Sequence, residues 1–445
     1  MVPSSPRHAG FSRFWLAVIL TGIATGLGAA ALTRLLELVQ RLVWGGSGTD
    51  ILKTASQSGT TRHILALLAA GVVTGLGQII LRKVSSANGI DTTEAIWFHA
   101  GRLPAVRTLG SAVLSVLIVG MGVSLGREGA PKQAGAVFAN LFSDWGRLSD
   151  DQRRLLVACG AGAGMGSAYG VPLGGALFSL EVMRGILALR FVLPALFCAM
   201  IATGVSWLFL PNAPTYMIPA YESSASVLVW LLIAAPLAGL ASVAFVRLVR
   251  WADRNKPSGK RRLIAPVVAM GILGAASIWF PQLLGNGKDV SQLAFVGAVA
   301  PALLGILIVL KPAATLLSMR SGAPGGMFTP TLTVGAMLGG ALGWAWSWLW
   351  PGVPAGLFAL LGATAMLAAT TQGPISASVL MMELTGRDRS FILPLLLAAG
   401  LATLVARAIE PRSIYDARLT DEEIAERQRL RDQPRQLEIE RMGDR

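Results

Sequence analysis

The stretch GAGAGMGSAYGVPLGGALFSLEVMRG, residues 160–185, has a second copy in the chain: GATAMLAATTQGPISASVLMMELTGR, residues 362–387. Placing Pro172 on Pro374 sets an offset of 374 − 172 = 202, which also carries Gly160 onto Gly362 and Glu181 onto Glu383 without a gap. Each copy reads as a small-residue helix, a Gly/Pro break, and a second apolar helix ending in an acidic residue. Small residues let helices approach closely in lipid, where no hydrophobic force draws them together. Inverted repeats of this kind build transporters whose site lies near the bilayer midplane, where the halves meet. Chance similarity between two Ala/Gly-rich segments is the alternative; the shared break and the shared terminal glutamate count against it.

Outside the repeat the chain is equally apolar. Of its 445 residues 53% are hydrophobic and 14% charged, outside the range of soluble globular proteins. Stretches such as HILALLAAGVVTGLGQIIL and VLVWLLIAAPLAGLASVAFVRLV are long enough to span a bilayer, so the expected fold is an all-α polytopic membrane protein. The first apolar segment, from about Phe11, is too long and too poor in a small-residue cleavage site for a removable signal, and reads as a structural helix. The formal charge of +14 belongs to arginines at segment ends, as the positive-inside rule expects, and no basic stripe interleaved with aromatics points to nucleic acid. Cys159 and Cys198 sit among apolar residues as free thiols, and three scattered histidines offer no metal-ligand spacing, so no metal is expected. The organisation expected is a cytoplasmic segment 1–12, a transmembrane domain 13–410 with repeats of about 13–215 and 225–410, and a charged cytoplasmic tail 411–445.

Three Gly/Pro-rich breaks interrupt the apolar chain: SSANGID (85–91), GREGAP (126–131) and GGMFTP (325–330). Non-helical backbone at membrane depth persists only where protein buries it or a polar cavity solvates it. Each break precedes residues able to start a helix, so each can aim free N–H groups and a positive dipole end at a common point. Such a midplane point attracts anions. A phosphate-sized ligand would normally add an arginine fork or a lysine, and the GxxxxGK[ST] loop is absent; a small inorganic anion needs little beyond N–H and hydroxyl donors.

GREG at 126–129, SGAPGGMFTP at 321–330, GVPLGGALFSLEVM at 170–183 and IYDARL at 414–419 together resemble the CLC family of chloride channels and proton-coupled anion antiporters. The resemblance runs from about the second apolar segment to Leu419. It implies two inverted helical halves with broken helices meeting at a midplane anion site, a homodimer with a separate path in each subunit, no cofactor, and a multi-pass location in a bacterial inner membrane. On this resemblance Glu128 matches the gating glutamate that exchanges protons and competes with anions, within the anion-path loop Gly126, Arg127, Gly129. The alternative for Glu128 is a structural pair with Arg127. Met327 and Phe328 match positions whose backbone N–H groups hold the central anion, and Tyr415 matches the tyrosine whose hydroxyl closes its inner side.

Departures from the common pattern bear on the ion. At the first break Asn88 stands where chloride-transporting members have serine, followed by Gly89 and Ile90, and Asp91 replaces proline. Ala130 follows GREG, and Thr329 fills the variable place of GxFxP. These features resemble the branch that exports fluoride in exchange for protons; Asn88 and Thr329 would supply extra donors to a strongly hydrated ion, or Thr329 would cap the following helix. Val182 stands where proton-exchanging members carry an inner glutamate, which leaves a passive voltage- or pH-gated chloride channel as the alternative. Glu181 reads as a helix-end group repeated by Glu383. Lys132 either tunes the potential of the path or snorkels to a polar face. An intramembrane enzyme is the remote alternative, lacking a nucleophile–base pair or HExxH spacing. The expected partners are chloride or fluoride, protons and the lipid bilayer.

Overall fold

The computed structural model describes residues 9–46, 50–85, 90–387, 391–417 and 419–429, and among them the chain is helical with no β-strand. The first half holds α1 (Ala9–Trp44), α2 (Ile51–Ser56), α3 (Thr60–Val84), α4 (Thr92–Phe98), α5 (Ala105–Gly120), α6 (Gly129–Trp145), α7 (Asp150–Tyr169), α8 (Pro172–Phe178) and α9 (Leu189–Ser206). The second holds α10 (Ala225–Arg254), α11 (Arg261–Trp279), α12 (Lys288–Phe295), α13 (Pro301–Arg320), α14 (Phe328–Trp346), α15 (Ala355–Thr371), α16 (Pro374–Thr385) and α17 (Ile392–Ile409). With α2 set aside, the two series match in order and character: long helices α1 and α10, short helices α4 and α12, break-initiated helices α6 and α14. Among the described residues α1, α3, α9, α10, α11, α13 and α17 are long and apolar enough to cross a bilayer, and their outward side chains, such as Leu65, Ile80, Leu232 and Val309, are exposed as a lipid-facing surface requires.

Local chemistry sets the element ends. A capping box between Ser149 and Gln152 opens α7, and Gly170, with φ +70°, closes it in the left-handed conformation that favours glycine. Pro172 and Pro374 then start α8 and α16 at the first helical position, where a missing N–H costs nothing. Small residues set the helix spacing: α6 crosses α7 at Gly135 and Gly160, and a Cβ on either would strike the other's carbonyl oxygen. The same relation recurs between Gly335 of α14 and Gly362 of α15.

The halves lock together by exchange of equivalent contacts. Glu383, near the end of α16, accepts hydrogen bonds from the N–H groups of Leu173 (3.0 Å) and Gly174 (2.6 Å) at the start of α8. Glu181, in the π-helical turn that continues α8, accepts from Ile375 (3.2 Å) and Ser376 (2.6 Å) at the start of α16. The offset of 202 exchanges the clamps, 181 going to 383 while 375 and 376 go back to 173 and 174, as two-fold-related inverted halves require. Both carboxylates meet orphan N–H donors at the positive end of a helix dipole. Elsewhere Lys311 of α13, 1% exposed, donates to the carbonyls of Leu283 (3.0 Å) and Gly285 (3.0 Å) and so fixes the loop leading to α12.

Candidate anion site

The second and third breaks meet as backbone. Gly126 and Gly326 form an antiparallel bridge, each N–H donating to the other's carbonyl at 2.8 Å. From this bridge α6 and α14 run into the protein, so their N-termini open onto one buried point. Glu128, 3% exposed, folds its side chain back onto that point. Its Oε1 accepts the Phe328 N–H at 2.7 Å. Its Oε2 lies 3.2 Å from both the Tyr169 and the Thr329 hydroxyls, which are 2.7 Å from each other. Two hydroxyl protons serve three contacts, so one hydroxyl donates to its neighbour and the neighbour donates to the carboxylate. A Cβ at Gly126 or at Gly326 would collide with the carboxylate, which is why both positions need glycine.

The site joins most of the residues expected from sequence. Gly126, Arg127, Glu128, Gly129, Met327, Phe328 and Thr329 form one cluster, with Met327 buried just before the first turn of α14. The Arg127–Glu128 pair does not form: the Arg127 guanidinium stacks 4.9 Å from the Tyr169 ring centroid and lines an outer cavity of about 190 Å³ with Lys288 and Asp289. Thr329 does not cap α14, because it lies inside the first turn with its hydroxyl turned to Glu128. Tyr415 sits one step removed, its ring edge-on to Phe178 at 5.4 Å and beneath the Lys132 ammonium at 4.5 Å. Lys132 is one helical turn beyond Glu128, its N–H donating to the Glu128 carbonyl at 3.2 Å, so it bridges Glu128 and Tyr415.

Of the first break only Ser85, Ile90 and Asp91 are described. Asn88 and Gly89 lie outside the described residues. Ile90 lines a cavity on the arginine-rich face together with Gln133 and Pro324. Asp91 caps α4, its carboxylate accepting the Thr93 N–H at 2.9 Å, so the dipole of this seven-residue helix is met by its own acid. Among the described residues the second and third breaks converge as backbone, and Asp91 of the first caps its own helix.

Residues 69–407 match the family model described as voltage gated chloride channel. The chain belongs to the CLC family. Among its relatives, a ClcB-like chloride channel protein of Ralstonia nicotianae is 32% identical over 412 residues, covering 89% of this chain and 95% of that protein. The H(+)/Cl(-) exchange transporter ClcA of Vibrio parahaemolyticus is 32% identical over 311 residues, 67% of this chain and 66% of its own length. A slow cyanobacterial Cl-/H+ antiporter of known crystal structure superposes with a TM-score of 0.79 at 23% identity, over 93% of this chain and 98% of that one. This CLC protein is thus an integral membrane protein of the anion-transporting type. Its sequence reading omitted Tyr169. The signal was present: one of four tyrosines in the chain stands at the Gly/Pro break of the repeat, where the second copy has Thr371.

Proposed function

We propose that this CLC protein exchanges a small halide for protons through Glu128, and that fluoride is the halide its outer site favours. The Glu128 carboxylate lodged on the Phe328 amide and the Tyr169–Thr329 hydroxyls carries this reading. A carboxylate in that place is a tethered anion, held by the donors a free anion would use. Protonation removes its charge and weakens its claim on them, so a halide replaces it; loss of the proton brings it back and expels the halide. Met327 and Phe328 offer amides to the ion, Tyr415 lies on the inner approach, and Asn88, Gly89 and Ile90 are assigned to the ion as further ligands by the family resemblance. Fluoride is favoured because hydroxyl and amide donors at hydrogen-bond distance replace the water that a small, strongly hydrated ion must lose. The working unit is read as a homodimer.

Passive chloride permeation is the second reading, favoured by Val182, which leaves no carboxylate after Glu181, and by the channel name of the Ralstonia relative. Liposomes loaded separately with fluoride or chloride, with efflux and external pH recorded together, separate the two. Fluoride efflux with proton uptake, quickening as the external pH is lowered from neutral, is the expected result. In Glu128→Gln, which cannot lose a proton, halide flux becomes indifferent to pH and moves no protons. Chloride efflux without a pH change in the parent protein would replace exchange by permeation, and unaltered coupling in Glu128→Gln would remove Glu128 from the mechanism.

A further inference from the structure

Three guanidinium groups reach one cavity on the arginine-rich face from three different helices: Arg82 near the end of α3, Arg107 in the first turn of α5 and Arg262 in the first turn of α11. The positive-inside rule places this face toward the cytoplasm. The cavity holds about 290 Å³, and Gln78, Gln133 and Lys256 add polar groups to its wall. Lys256 is paired with Asp253. None of the three arginines makes an ion pair with a carboxylate among the described residues, and Arg107 feels repulsion from both others. Nη1 of Arg107 is buried with no hydrogen-bond partner. Arg262 directs its Nε to the Pro257 carbonyl (3.1 Å), which pins the α10–α11 loop against the cavity.

Positive-inside statistics account for arginines at helix ends, each free to extend to the lipid headgroups separately. They do not account for three that share the wall of one half-open cavity and leave a buried donor unmet, since like charges held together are destabilising without an anion between them. We propose that this cavity binds a phosphate group, free or carried on a lipid headgroup. Guanidinium forks match the paired oxygens of a phosphate, a match that a monatomic halide cannot offer. The site is distinct from the Glu128 cluster, yet Ile90 and Pro324 line it too, so its occupant sits beside the inner approach to the anion path.

Thermal unfolding of the full-length protein in a neutral, phosphate-free detergent, titrated with inorganic pyrophosphate against potassium chloride of matched ionic strength, tests the site. A saturable rise in Tm beyond the chloride control is expected. Arg107→Gln raises the half-saturating concentration by about tenfold or more, the effect of losing one charge-assisted hydrogen bond. Arg107→Lys, which keeps the charge and loses the fork, falls between the two and controls for misfolding, while Glu128→Gln binds as the parent does. Repeating the titration in nanodiscs identifies the source: if phosphatidylglycerol raises the pyrophosphate requirement relative to phosphatidylcholine alone, the site takes a lipid headgroup, and if not it takes a soluble phosphate. A pyrophosphate response no larger than that of chloride, or one that Arg107→Gln leaves unchanged, overturns the proposal.

Discussion

Lys132 places a positive charge between Glu128 and Tyr415. It is 8% exposed, one turn of α6 beyond Glu128, with its ammonium on the face of Tyr415. The ammonium makes a cation–π contact with the ring, and its charge acts along the route between the two residues. At an effective dielectric near 20, a unit charge about 8–16 Å from a halide contributes roughly 1–2 kcal/mol, or about tenfold in affinity. Lys132→Met should therefore raise the half-saturating halide concentration in liposome flux by about tenfold while leaving folding intact. If the lysine only snorkels to a polar face, the same change alters thermal stability and not halide affinity. Glu128 was legible in the sequence because its glycine neighbours mark a break where no lipid-facing carboxylate can persist. Tyr169 was not, because its partner Thr329 lies 160 residues away and a tyrosine at a helix end ordinarily reads as an interfacial anchor.

The exchange of four hydrogen bonds at the starts of α8 and α16 gives the two halves one shared seam. Each short helix receives its N-terminal countercharge from the end of the other, so neither is capped by its own sequence. The offset of 202 made the repeat visible in sequence, and the shared glutamates marked both helix ends. Which amide each carboxylate would meet was not legible, since that depends on the two-fold relation between halves and not on either segment. The first break shows the opposite limit: a Gly-containing loop before a helix predicted free amides, and Asp91 takes one of them. Removing either clamp leaves two backbone donors without their charged acceptor. Glu181→Ala and Glu383→Ala should each cost about 1–3 kcal/mol, read as matching losses of thermal stability in detergent. Proton-to-halide coupling should be unchanged in Glu181→Ala, and loss of coupling with stability preserved would make Glu181 a proton relay instead.

At the scale of the molecule, the Glu128 cluster draws together the two bridged breaks and the end of α7. The seam between halves also organises the outside: α8, α9, α16 and α17 lie side by side and present Leu173, Leu193, Phe197, Leu393 and Leu396 outward. Between α16 and α17 this face is indented by an apolar cavity of about 420 Å³ lined by Val379, Met382 and Ile392, a shape that protruding side chains of a second copy can fill. Packing of two such faces would set two complete anion paths apart, each between its own paired breaks. Tryptophan at Leu193 and at Leu396 enlarges the face and should block that packing by overfilling, without reaching the Glu128 cluster. In dilute bilayers the double variant should photobleach as single subunits where the parent protein bleaches in pairs. Its flux per subunit and its pH response should equal those of the parent. Monomers that fold but lose proton coupling would mean that the partner contributes to the gate, and parent protein that bleaches singly would mean that lipid alone covers this face.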